Sequence, residues 1–159
     1  MTTIAIDAVS IASDSRRTSG HELMSACNEK IRIAHGCIYA FTGPYGLFAA
    51  AVAWHAAGAK PADQPYDGVK NDWTLIVIGP DHTVKTWHGG CAYPEDIPVP
   101  MAWGSGGEYA LSLMDAGFSA ADAVAGAAKR DVYTGGPVQM VNIREALDVP
   151  RVPRFAAVE

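Results

Sequence analysis

Thr2 stands directly behind Met1 and is followed by a second threonine. Methionine aminopeptidases remove an initiator methionine that precedes a small residue. The product here would carry a hydroxyl and a free α-amine on one residue. An α-amine titrates at about 7.7–8.0, far closer to neutrality than a lysine. It can take the proton of its own side-chain hydroxyl, directly or through a water, so that one residue is both nucleophile and base. A Met-Thr-Thr opening is also common without any such role, so the reading needs partners for Thr2.

Two candidates lie sixteen residues apart. Asp14 falls in Ser13-Asp14-Ser15-Arg16, at the end of the second expected strand, and Lys30 in Asn28-Glu29-Lys30-Ile31, at the start of the third. A hairpin register can bring both beside the first strand's N-terminus. A lysine there would lower the amine's pKa by like-charge repulsion and stabilise a developing alkoxide. A carboxylate would hold that lysine charged and in place. The alternative is a solvated surface pair, which is worth little.

Gly43 lies in Phe41-Thr42-Gly43-Pro44, where a strand passes into a helix. Backbone N–H groups at such a junction can face an oxyanion, or the glycine only makes the turn. Gly104-Ser105-Gly106-Gly107 lacks the Walker lysine and the dinucleotide spacing, so a phosphate cradle is disfavoured. With Glu108 it has the form of a capping box, Ser105 being the cap. The run Arg130-Asp131-Val132-Tyr133-Thr134-Gly135-Gly136 reads by itself as a polar connection with a tight turn.

These residues need elements to position them. Ile4 and Ile6 alternate, then Ile11 to Ser13, which predicts an opening hairpin. Asp14 to Gly20 reads as a polar loop. Ile31 to Ile33 and Cys37 to Phe41 form a second hairpin. Pro44 opens a helix that Gly58 stops. Lys60 to Asn71 holds two prolines and reads as a connecting loop. Trp73 to Ile78 and Thr83 to His88 pair next, and glycine and proline punctuate residues 89–100. Two short helices follow, one from Ser105 to Gly117 and one from Ser119 to about Asp131. Pro137 to Ile143 is a last strand. Regular β-α-β alternation is missing, which disfavours a doubly wound parallel sheet. Hairpins imply antiparallel sheets with helices outside them. One domain is expected over residues 2–145, with a loosely ordered C-terminal tail over 146–159.

Composition fits a globular chain: 159 residues, 49% hydrophobic, net charge −5. An acidic balance speaks against nucleic acid as the main partner. Three widely spaced cysteines fit free thiols in a reducing compartment. The five histidines show no metal-ligand spacing. Neither a metal nor another cofactor is expected. The N-terminus does not read as a signal peptide, and the apolar run from Cys37 to Ala59 reads as strand plus helix, not as a membrane span.

Taken in order, these segments resemble the proteasome β-subunit family and its bacterial relative, the HslV peptidase. The residues that carry the resemblance are Thr2-Thr3-Ile4, Ser13-Asp14-Ser15-Arg16, Lys30-Ile31, Phe41-Thr42-Gly43, Gly104-Ser105-Gly106-Gly107 and Arg130 to Gly136. The resemblance implies an α+β fold of the N-terminal-nucleophile hydrolase type, a four-layer αββα sandwich of two antiparallel sheets. It implies a cytoplasmic threonine endopeptidase that cleaves peptide or unfolded-protein substrates through an acyl-enzyme on Thr2. By matched position the Thr2 α-amine is the base, Lys30 tunes it and Asp14 orients Lys30. The Gly43 N–H serves the oxyanion, while Ser105, Asp131 and Thr134 hold the amine and a bridging water. The substrate pocket is expected from residues after Arg16 and from those around Gly43 to Leu47. A homo-oligomeric ring is implied, with an ATPase unfoldase as a possible partner.

The sequence departs from the family pattern in places. Its first hairpin is shorter. The family's long second helix is shortened or absent, its place taken by the loop at 60–71. No propeptide is expected before Thr2, as in HslV, so removal of Met1 is expected to expose it. The shortened middle keeps two other readings open on the same scaffold, a small-molecule amidase and a non-catalytic ring subunit.

Overall fold

The computed structural model describes residues 1–66, 68 and 71–148. Its strands begin with β1 (Thr3–Ile6), β2 (Ser10–Ser13), β3 (Arg17–Ser19) and β4 (Glu22–Ser25). Then come β5 (Ile31–Ala34), β6 (Cys37–Thr42), β7 (Thr74–Ile78), β8 (Val84–His88) and β9 (Glu95–Asp96). The last two are β10 (Met101–Gly104) and β11 (Gln139–Asn142). The helices are α1 (Phe48–Ala56), α2 (Gly107–Asp115), α3 (Ala120–Ala127) and α4 (Ile143–Leu147).

Large and small residues alternate along the first hairpin, and a strand sends successive side chains to opposite faces. In β1 and β2 every residue is buried. Ile4, Ile6 and Ile11 therefore pack one way, against Ile38, Ile76 and Ile78 of the second sheet. Ala5 and Ala12 pack the other way, against Ala110 of α2 and Ala123, Val124 and Ala127 of α3. The small residues let helix and sheet approach closely. The Asp7 carboxylate fixes the turn between the two strands by accepting from the N–H groups of Val9 and Ser10, both at 2.8 Å. It also accepts from Ala120 N at 2.7 Å, which ties the start of α3 to the hairpin.

Two antiparallel sheets result. One has the order β10-β1-β2-β11, the other β5-β6-β7-β8-β9. Between them lies an isoleucine-rich core. On the outer face of the five-stranded sheet, Phe48, Val52 and Trp54 of α1 pack against Tyr39, Phe41 and Leu75. The alternation of β6 thus divides between two cores, Ile38 and Ala40 inward and Tyr39 and Phe41 outward.

The structure departs from the sequence expectations at four points. The expected polar loop from Asp14 to Gly20 contains β3, which pairs with β4 in a separate two-stranded sheet. Its residues are polar and largely exposed, so no apolar alternation marked them. Residues 101–104 form β10, which the glycine and proline around it concealed. That strand owes its existence to pairing with β1, from Thr3↔Gly104 to Ile6↔Met101. The last strand stops at Asn142 and the chain turns into α4, capped by the Asn142 side chain accepting from Glu145 N at 3.1 Å. Ser105 does not cap α2: the N-cap is Gly106, with no side-chain cap bond.

Between Ala56 and Thr74 the described residues hold one turn of 3-10 helix, Pro61–Asp63, and no α-helix. The expected domain limit at 145 falls inside α4, and most of the expected tail, 149–159, lies outside the described residues. No helix among the described residues is long and apolar enough to cross a membrane.

Candidate active site at the start of the first strand

The opening hairpin and β5 bring Asp14 and Lys30 together. Lys30 Nζ lies 2.7 Å from Asp14 Oδ1, with both side chains at or below 5% exposure. The other two hydrogens of the ammonium go to main-chain carbonyls, Arg16 O at 2.6 Å and Met1 O at 3.2 Å. An ammonium has three donors, so this one is fully used. Asp14 is satisfied just as completely. Its Oδ1 also accepts from Thr3 N at 2.9 Å. Its Oδ2 accepts from Arg16 N at 3.2 Å and Gly135 N at 3.1 Å. The solvated-pair alternative is thereby excluded.

The contact with Met1 O matters because that oxygen sits on the carbon bonded to Thr2 N. Adding the C=O and C–N bond lengths puts Lys30 Nζ within about 6 Å of the Thr2 nitrogen. Burial pushes the Lys30 pKa down, against the opposing pull of Asp14. The amine at the start of the chain is also pushed below its ordinary value, first by burial and then by the Lys30 charge, with Asp14 and Asp131 opposing.

Thr2 lines a cavity of about 360 Å³ together with Lys30 and Gly43. Met24, Arg17, Tyr45 and Phe48 form further parts of its wall. The Arg17 guanidinium lies 4.9 Å from the centre of the Tyr45 ring. These parts of the wall come from β3, β4 and the segment at the start of α1, with Glu29, Lys30 and Phe41 completing it. Gly43 is fixed by space: a Cβ there would stand 2.6 Å from Trp73 Cβ, at a φ of +133°.

Ser105, Asp131 and Thr134 come together on the other side of β1. Ser105 Oγ donates to Asp131 Oδ2 at 2.6 Å, and Thr134 Oγ1 donates to the same oxygen at 2.5 Å. Thr134 has one hydroxyl hydrogen, so Thr3 must be the donor in the 2.5 Å contact between Thr3 Oγ1 and Thr134 Oγ1. Gly106 N donates to Thr3 Oγ1 at 3.0 Å. A side chain at position 106 would collide with the Thr3 hydroxyl, which explains the glycine. Burial raises the Asp131 pKa, but the bonds from Ser105, Thr134 and Tyr133 N outweigh it and hold the carboxyl below its ordinary value. The direct partner of this network is Thr3, a residue the sequence reading passed over. Strand alternation was the available signal, since Thr2 and Thr3 must face opposite ways.

No family model matches the chain, and no curated protein matches it either. Solved structures do. BPH of Thiobacillus denitrificans superposes at a TM-score of 0.63, with 20% identity over 89% of this chain and 97% of that one. The same protein in complex with epoxomicin gives 0.65 and 19%, over 89% and 98%. Eukaryotic HslV from Trypanosoma brucei gives 0.65 and 17%, over 89% and 98%. The chain has the HslV fold. The mixed α+β arrangement with two antiparallel sheets accords with that fold, and the superposition takes in nearly the whole HslV chain. At this identity the likeness is one of backbone, and the case for chemistry rests on the side chains just described.

Proposed function

We propose that the protein is a threonine peptidase of the proteasome and HslV type, with Thr2 as its terminal nucleophile after loss of Met1. One observation carries the reading: the buried Lys30 ammonium, held by Asp14, donates to the carbonyl joined to Thr2 N. Once Met1 is removed, the new amine lies beside that ammonium in the same buried setting. Both influences keep its pKa low, so that it is a free base near neutral pH.

Thr2 Oγ1 then attacks the carbonyl carbon of a peptide bond and gives its proton to the α-amine. The oxyanion is stabilised by the Gly43 N–H and by the nearby positive charge of Lys30. The protonated α-amine of Thr2 passes this proton to the leaving nitrogen, the C–N bond breaks, and an ester remains on Thr2. A water gives a proton to the amine and attacks the ester; the amine returns that proton to Thr2 Oγ1 as the C–O bond breaks, which releases the acid and restores the free hydroxyl and amine. Asp131, Ser105 and Thr134 fix the first strand through Thr3 and set the field that the amine and a bridging water meet.

The three packed cores support a four-layer αββα sandwich, and the HslV likeness supports a homo-oligomeric ring acting on peptides or unfolded proteins. An ATPase unfoldase is a possible partner of such a ring. Cys27, Cys37 and Cys91 are free thiols, in keeping with a cytoplasmic setting. A small-molecule amidase is the second reading, favoured by the lack of an α-helix among the described residues between Ala56 and Thr74. Fluorogenic peptides assayed alongside native mass spectrometry separate the two. A ring that cleaves peptides, with the activity lost in Thr2→Ala, supports the peptidase. A monomer that hydrolyses only small amides overturns it.

A further inference from the structure

Lys30 precedes β5 by one residue, so the ladder of the five-stranded sheet does not fix its main chain. Something else must. Gln139, the first residue of β11, belongs to the other sheet and pairs with Ser13 of β2. Its side chain reaches across. Gln139 Oε1 accepts from Lys30 N at 2.9 Å, and Nε2 donates to Asn28 O at 2.8 Å. Ser13 Oγ adds a long contact of 3.4 Å to the same Oε1. Asn28 N in turn donates to Ser15 O at 2.7 Å, next to Asp14.

The side-chain amide thus bonds a C=O and an N–H two residues apart, with Glu29 between them. In a parallel ladder the N–H and C=O of one residue make a comparable slanted pair of bonds to residues two apart on the neighbouring strand. Gln139 stands in for a strand partner and joins the two sheets at the point where Lys30 leaves one of them. It is absent from the lining of the substrate cavity.

Resting on the threonine-peptidase reading, the geometry points to Gln139 as a positioning residue. Its amide fixes the Lys30 main chain so that the ammonium reaches Asp14, Arg16 O and the start of the chain together. The charged groups around that ammonium are Asp14, Arg16 and the terminal amine, with Asp131 also acting on the amine. A lysine displaced by a fraction of an ångström keeps its charge but loses its hold on the amine.

The test uses Gln139→Met, which keeps length and loses both bonds, and Gln139→Glu, which keeps the acceptor and cannot donate to Asn28 O. For each, kcat and KM are measured over a pH series, together with Tm and the NMR titration of the Lys30 side chain. A misplaced charged group costs on the order of 10- to 100-fold in rate. The account expects a loss of that order in kcat, KM within about twofold, an acid limb moved to higher pH and a changed Lys30 titration. The inference is overturned if the folded variants keep the wild-type pH profile and lysine titration. It is overturned equally if both variants fail to fold, since the role is then structural alone. The two readings fail separately. If wild type and Thr2→Ala are equally active, the peptidase reading is at fault. If only the Gln139 variants behave as wild type, this inference is at fault.

Discussion

Thr2 and Thr3 are the same residue one position apart, and the fold treats them in opposite ways. Thr3 is fully buried, and its hydroxyl is committed at both ends, to Thr134 Oγ1 and to Gly106 N. Thr2 lines the cavity beside Lys30 and Gly43, and no described residue takes its hydroxyl. Each side of β1 also has its own carboxylate. Asp14 is bonded to an ammonium and three N–H groups. Asp131 is held by two hydroxyls and one N–H. In the proposed mechanism the charged side supplies the field, and the hydroxyl side anchors the strand that carries Thr2.

The contrast breaks most sharply at Thr2 itself. Thr2→Ala should remove peptidase activity altogether while leaving Tm close to wild type, because the lost hydroxyl has no structural partner. Activity that survives in a purified Thr2→Ala protein would place the nucleophile elsewhere. Lys30 comes next. Lys30→Ala should abolish turnover and also destabilise by about 3–5 kcal/mol, since it leaves a buried carboxylate without its counter-charge. Lys30→Arg keeps the charge but should still fail to turn over, a guanidinium being larger and differently hydrated. Denaturant unfolding and peptide assays on both variants separate field from fold.

A third effect is in the pH profile. With the amine as the proposed base, activity should fall as pH drops and the amine becomes protonated. Burial and Lys30 lower the pKa of the Met1 amine; if they act likewise on the Thr2 amine, the acid limb lies below the ordinary value of about 7.7–8.0. A limb at or above that range would show that neither influence reaches the amine. The smallest effect belongs to the anchoring side. Thr3→Val keeps shape and removes the hydroxyl, leaving Gly106 N without its acceptor and taking one of two bonds from Thr134, at a cost of about 1–3 kcal/mol. Activity should fall less than in Lys30→Ala. A loss as complete as that of Thr2→Ala, with Tm unchanged, would erase the distinction between the two threonines.

Much of this was legible in the sequence where periodicity was local. Ile4, Ile6 and Ile11, the β5–β6 pair and the alanine-rich α3 carry their own patterns. The strand β10 does not, because Met101 to Gly104 becomes a strand only by pairing with β1. The strands β3 and β4 lack a buried face to mark them, β3 being polar and Leu23 and Met24 of β4 exposed, yet they supply Arg17 and Met24 to the cavity. Within the site, the spacing of Asp14 and Lys30 was visible, but their burial was not. Ser105 was misread as a helix cap because a serine hydroxyl before a helix satisfies either a free N–H or a distant carboxylate. Only the return of residues 131–134 to β1 settles which.

The central claim is that one residue presents its hydroxyl and its amine together beside Lys30. The most direct measurement is intact-mass analysis of the purified, active protein, with peptide mapping after treatment with epoxomicin, the ligand of the BPH complex. The account predicts a chain that lacks Met1 and a single adduct on Thr2. An active chain that retains Met1, or an adduct on any other residue, would contradict it.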